Sequence, residues 1–126
     1  MVRVFLMLGF NFQGFAQCTE CGSPRTYTST NLSINGNVNP SSTGGLNSNK
    51  WTGDENFSSG QIAKFDQNLS FTWEASDFTL GGIILTNGAD LTLERPNNGE
   101  NPAFTIEGEC ILIGAGSTLN LIYIVS

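Results

Sequence analysis

Few residues in this chain have the type and spacing that chemistry requires. Glu107 and Glu109 flank Gly108, and on a regular strand residues i and i+2 face the same way. Two adjacent carboxylates can bind Ca²⁺ or share a proton. No basic residue or further carboxylate completes such a site, so the expectation is a solvated outer face. Asp54 and Glu55 sit in a Gly/Asn-rich stretch and are expected to be solvated too. The Asp-x-Asp-x-Asp-Gly calcium loop is absent. The chain has no histidine, which excludes Ser-His-Asp and Cys-His nucleophiles. Lys64 and Arg95 form no constellation with the carboxylates. The expectation is a protein that is not an enzyme, with no catalytic residues, no cofactor and no metal.

Cys18, Cys21 and Cys110 are the three cysteines. The Cys18-x-x-Cys21 spacing is half of a zinc or redox motif, but a second ligand pair is missing. In an exported chain a disulfide is the favoured use. Cys18 or Cys21 can pair with Cys110, or the two can close a tight loop, leaving one thiol over. Among the aromatics, Trp73 falls in phase with Leu69 and Phe71 and is expected in the core. Trp51, between Lys50 and Thr52, is the candidate for an exposed carbohydrate-stacking platform. Thr72, Thr92 and Thr105 are expected to face outward, without the regular rank an ice-binding face needs.

The elements that must position these residues are written as repeats. Residues 83–93 match residues 111–121 without a gap at an offset of 28. Ile83/Ile111, Gly88/Gly116, Leu91/Leu119 and Leu93/Leu121 are identical. Each copy is an apolar run, a glycine turn and a Leu-x-Leu strand, and internal repetition marks stacked architectures. From Gln61 onward the period is two: Leu69, Phe71 and Trp73, then Phe78 and Leu80, Leu91 and Leu93, Phe104 and Ile106, Leu119 and Leu121. Such alternation places apolar side chains on one face. Breaks fall at Gly81-Gly82, Asn87-Gly88, 97–99 and 114–116. No segment carries a helical stripe. The expected fold is all-β: a short right-handed parallel β-helix (solenoid) with an irregular N-terminal head, the alternative being an antiparallel β-sandwich. Ile83 is expected to stack near Ile111 and Leu91 near Leu119, in parallel strands. The polar stretch 94–103 is expected to protrude as a loop and account for the long offset.

Three segments follow. Residues 1–16 have the form of a signal peptide: Arg3, an apolar run from Val4 to Phe12, and Gly14 and Ala16 as the small residues before the cut. That run is shorter than the roughly 20 residues of a membrane-spanning helix, so no membrane span remains after removal. Residues 17–60 form a cysteine-bearing head with Gly/Asn/Ser-rich loops; residues 35–50 are so poor in apolar groups that a long surface loop is expected. Residues 61–126 hold the β-helix coils, expected to be incomplete at the C-terminus. The formal net charge is −6, and Arg25, Lys50, Lys64 and Arg95 are scattered. Polyanion binding needs clustered Lys/Arg, so no nucleic-acid partner is expected.

Phe15-Ala-Gln17, the Cys18-x-x-Cys21 head, residues 88–93 and residues 116–121 together resemble secreted surface proteins of Bacteroidota. In that group a signal ending Phe-Ala-Gln and a Cys-x-x-Cys head precede coils of the form Gly-Ala-x-Leu-x-Leu. The resemblance implies an adhesin-like parallel β-helix that is secreted or displayed at the cell surface; the group typically carries a C-terminal sorting domain, for which this chain has no room, so the expectation is a fragment of a longer protein, the alternative being a free-standing unit of cap and coils. The function expected is an exported structural or adhesive β-helical segment without catalysis, its partner a surface glycan or another protein. The alternative is a secreted carbohydrate-binding module using Trp51. The uncharged run 119–126, apolar on both faces, predicts an unfinished edge and self-association through it.

Overall fold

The computed structural model describes residues 22–39, 41, 43–74, 78–94 and 104–122. Eight strands occur among them: β1 (Arg25–Thr26), β2 (Ser33–Asn35), β3 (Ile62–Phe65), β4 (Ser70–Glu74), β5 (Phe78–Leu85), β6 (Asp90–Glu94), β7 (Phe104–Ile113) and β8 (Thr118–Ile122). They alternate between two four-stranded sheets ordered β1-β3-β5-β7 and β2-β4-β6-β8. Every ladder is parallel. The antiparallel alternative is therefore corrected: the one antiparallel pairing among the described residues is the Tyr27–Trp51 bridge. Parallel neighbours cannot be joined by a hairpin and need a crossover connection. The chain meets this by sending each strand to the opposite sheet.

The register matches the offset of 28. Ile83 pairs with Ile111, Leu85 with Ile113, Leu91 with Leu119 and Leu93 with Leu121. The structure also exposes a shorter repeat that identity does not reveal. Residues 62–65 pair with 82–85, and 70–74 with 90–94, a constant offset of 20. The next repeat is longer for two reasons. Nine residues separate β6 from β7, whereas three separate β4 from β5. In addition, β7 places Glu107, Gly108 and Glu109 opposite the single residue Gly81, a bulge between the pairs Leu80–Ile106 and Gly82–Cys110. Upstream of this bulge the match Phe78-Thr79-Leu80 to Phe104-Thr105-Ile106 runs at an offset of 26.

Parallel pairing puts like residues in columns, and the inward columns form the core between the sheets. Ala63, Ile83 and Ile111 make one column; Phe65, Leu85 and Ile113 a second. Ile34, Trp73, Leu93 and Leu121 make a third, and Phe71, Leu91 and Leu119 a fourth. The middle members are closed off completely: Ala63, Phe65, Trp73, Ile83, Leu85 and Leu91 are 0% exposed. Burying each such Leu, Ile or Phe contributes about 1.5–3 kcal/mol. Leu69, Ile106 and Leu121, expected to be buried, are half-buried against this core. Phe104, also expected there, has a side chain outside the described set.

The corners follow from backbone chemistry. Asn87 and Gly88 both take positive φ (57° and 77°), and Ala89 N–H closes the turn on Thr86 O at 3.1 Å. Asn and Gly tolerate that conformation best. Gly82 answers a different need: a Cβ there would run into the carbonyl oxygen of Cys110 across the ladder.

Leu91→Ala should destabilise the fold by about 2–5 kcal/mol, as a cavity between Phe71 and Leu119. Urea denaturation measures this; a loss under about 1 kcal/mol would contradict the packed column.

Candidate functional site

Of the side chains singled out from the sequence, Trp51 lies with a set of polar groups that were not singled out, at the end of the core above β1 and β2. Within residues 35–50, expected as a surface loop, Asn35, Asn37, Val38, Ser41, Thr43 and Asn49 are exposed, but one stretch turns inward. Gly44, Gly45, Leu46 and Asn47 are buried, as are Trp51 and Phe57 further on. Few apolar groups are needed because side-chain amides supply the backbone's hydrogen bonds. Buried Asn47 accepts Asn39 N–H through Oδ1 at 2.9 Å and donates from Nδ2 to Asn39 O at 2.7 Å, as a peptide group would. Asn35 Oδ1 accepts Gly45 N–H at 3.0 Å, and Asn56 Oδ1 accepts Ser48 N–H at 3.0 Å. A short 3₁₀ turn, Ser48–Lys50, delivers Trp51 into the core.

Trp51 is corrected from a surface platform to a plug: it is 3% exposed. Its indole stacks on Phe57 at 4.1 Å and meets Tyr27 edge-on at 5.0 Å. Its Nε1 donates to Gly45 O at 2.8 Å. Trp73 lies in the core as expected, 5.6 Å from the Phe78 ring. Tyr27, Trp51, Phe57, Phe65, Phe71, Trp73 and Phe78 form one cluster and all are buried. None is left to stack on a sugar. The polar neighbours of Trp51 in sequence gave the opposite impression: Thr52 is exposed and Lys50 half-buried.

Arg25, read from the sequence only as one of four scattered cations, organises the cap. It heads the column of Ala63, Ile83 and Ile111, since it pairs with Ala63, and is only 9% exposed. Its guanidinium donates to Thr52 O at 2.7 Å, to Asn56 O at 3.0 Å and to Gln61 Oε1 at 3.2 Å, and also to Glu55 O. A rigid five-donor fork suits this convergence of carbonyls. The one local signal was an arginine inside a strand of otherwise uncharged residues. Tyr27 donates its hydroxyl to Asn31 O at 3.1 Å. Burial raises its pKa above the ordinary 10.0, opposed by a weaker hydrogen bond with Ser29.

The remaining candidates do not assemble. Cys110 is buried on β7 beside Gly82; Cys18 and Cys21 lie outside the described residues, as do the leader 1–16 and Arg95. Glu107 is exposed, and the bulge removes the regular strand on which an aligned Glu107–Glu109 pair depended. Asp54 and Glu55 are exposed. Thr72 pairs with Thr92, and Thr92 with Asn120, so the outer column ends in asparagine. Among the described residues no group of three His, Cys, Asp or Glu could hold a metal ion. No helix there is long and apolar enough to cross a membrane. Comparison of the chain with protein-family models, curated proteins and solved structures finds no match.

Arg25→Met should cost on the order of 3 kcal/mol, because several carbonyls lose their donor inside the cap; thermal unfolding reads this, and an unchanged midpoint would contradict the clamp. Tyr27 predicts a pH effect of definite sign. Its contribution is fully present below the unfolded value of 10.0 and is lost as pH rises through the higher folded value, because the unfolded chain releases the proton first. Stability should therefore fall above about pH 10, and Tyr27→Phe should flatten that fall. A slope equal in both proteins would assign the effect elsewhere.

Proposed function

We propose that this chain is a capped segment of a short right-handed parallel β-helix, exported from the cell and serving a structural or adhesive role at its surface, with no catalysis. The observation that carries the reading is continuous laddering around the corners as well as along the strands. Thr86 N–H donates to Phe65 O at 3.0 Å and Gly114 N–H to Leu85 O at 2.7 Å. Asp90 N–H donates to Leu69 O at 3.0 Å and Thr118 N–H to Ala89 O at 3.2 Å. Each turn of chain thus sits on the one before it. Strand–crossover–parallel-strand connections are right-handed in nearly all proteins, which gives the hand. Stacked repeats supply a rigid, extended surface. Apolar columns fill the space between the sheets, so contact with a partner falls to the outer faces and the open end.

Export rests on the leader-like residues 1–16 and on the cysteines. In an oxidising compartment buried Cys110 is proposed to pair with Cys18 or Cys21, tying the head to the stack. The resemblance to Bacteroidota surface proteins supports the same location. The partner is a surface glycan or another protein, recognised without Trp51.

The chain recovered from the outside of its own cells should begin at Gln17, as read by N-terminal sequencing. A cytoplasmic chain retaining residues 1–15 would overturn export. On a glycan array, Trp51→Ala should leave any binding pattern unchanged while lowering stability by about 3–5 kcal/mol. Selective loss of a sugar signal in that variant, with its fold intact, would restore the carbohydrate-binding alternative.

A further inference from the structure

The outer faces of the two sheets are not alike. Ile83 and Leu85 point into the core, so Ile84 between them points outward. Ile111 and Ile113 likewise leave Cys110 and Leu112 outward, and Ala63 leaves Ile62 outward. On the other sheet the outward Thr72 and Thr92 of the middle strands are half-buried. Here Ile84 is only 8% exposed, Cys110 only 5%, and Gly82 is buried too. Neither Ile84 nor Cys110 belongs to the cluster that fills the space between the sheets. Sheet β1-β3-β5-β7 therefore carries a second apolar surface on its outside, and the middle of that surface is screened from water.

Gly22 is set over this surface: a Cβ added to it would lie 3.9 Å from Ile62 Cδ1. Ile62, Gly82 and Cys110 are successive members of one row across the ladder, so Ile62 and Cys110 stand about 10 Å apart. Cys110 is engaged rather than free. The other two cysteines, Cys18 and Cys21, lie just ahead of Gly22 in the chain. One step of chain, about 3.8 Å, and one disulfide, with Cα atoms about 4.4–6.8 Å apart, together span about 8–11 Å. That bridges the gap from Gly22 to Cys110 when Cys21 supplies the thiol. Cys18 would put four residues, about 13 Å of extended chain, into the same gap and leave slack. Gly82, midway, has no side chain to obstruct the crossing, and a glycine inside a strand often marks such a close approach.

We infer that residues 18–21 cross the outer face of sheet β1-β3-β5-β7 as a strap, held there by a disulfide between Cys21 and Cys110, with Cys18 left as the thiol. This deepens the pairing of Cys110 proposed above, and in the cell it depends on export to an oxidising compartment. The oxidant is an external disulfide. Both Cys S–H bonds break, one S–S bond forms between Cys21 and Cys110, and the oxidant's own S–S bond takes up the two electrons and two protons to leave as two thiols. The bond reaches from beside β3 to β7 across β5, so the coils are clamped from outside as well as packed from within. Reduction frees the strap and uncovers Ile84 and Leu112.

The test equilibrates the full chain with glutathione disulfide, blocks the remaining thiols under denaturing conditions and cuts after glutamate. Cleavage after Glu20 separates Cys18 from Cys21, so the disulfide-linked peptide names the partner. Cys21 linked to Cys110, with Cys18 blocked, is the expected result. Cys21→Ser should abolish the linked species and lower the thermal midpoint by on the order of 10 °C, while Cys18→Ser leaves both unchanged. Hydroxyl-radical oxidation reads the cover itself. Reducing the unaltered chain with a phosphine should raise modification of Ile84 and Leu112 severalfold and leave core Leu91 unchanged, with the circular dichroism of the fold retained. A bond from Cys18 to Cys110 or to Cys21, no bond at all, or labelling of Ile84 that ignores reduction overturns the strap. Export is read separately: a chain found outside its cells and starting at Gln17 keeps that reading whichever way the strap falls, and a cytoplasmic chain retaining residues 1–15 does not alter which thiol the oxidised chain pairs.

Discussion

Parallel, in-register pairing is the constraint on which the rest of this structure depends. It sets residue over equivalent residue, so one inward position must suit its counterparts above and below. The column of Phe71, Leu91 and Leu119 and the column of Ala63, Ile83 and Ile111 are consequences. The same constraint places Asn87-Gly88 under Gly114-Ala115-Gly116, because a corner must turn where its neighbour turns. It also explains the β7 bulge: two extra residues are pushed out of the ladder at Gly81–Gly82 so that Ile111 and Ile113 can return to phase.

A stack of this kind has ends, and an end exposes both core side chains and backbone groups. The chain closes its first end with uncommon economy of apolar residues. Trp51 and Phe57 continue the aromatic cluster outward, while Asn47, Asn35 and Asn56 stand in for peptide groups. Arg25 occupies the top of an otherwise apolar column, and its guanidinium is spread over three carbonyls and the Gln61 amide oxygen. Buried carbonyls left without donors would cost about 1–3 kcal/mol each. The cap is thus a polar structure stabilised by satisfied hydrogen bonds around a small aromatic plug.

Much of the stack was legible in the sequence because the second half repeats by identity: Ile83 with Ile111, Leu91 with Leu119. The repeat of 20 was not, because its columns keep polarity and change residue type, Phe65 to Leu85 and Trp73 to Leu93. Only the outward Thr72/Thr92 and Glu74/Glu94 pairs are identical there. The cap was illegible for a different reason. Composition equates a Gly/Asn/Ser-rich stretch with surface loop, but an asparagine amide can be buried wherever both its ends are bonded, as Asn47 shows. Trp51 was misplaced by its polar neighbours, since a residue after a tight 3₁₀ turn can face opposite to them. The pair Glu107 and Glu109 lost its geometry to a bulge that Gly108 marked.

Inter-strand nuclear Overhauser effects test the register most directly. The account predicts backbone contacts linking 83–85 to 111–113 and 91–93 to 119–121, each in parallel order, and 70–74 to 90–94 at the shorter offset. Contacts running in reverse order between 83–85 and 91–93, as in a hairpin, with none from either segment to 111–121, would contradict it.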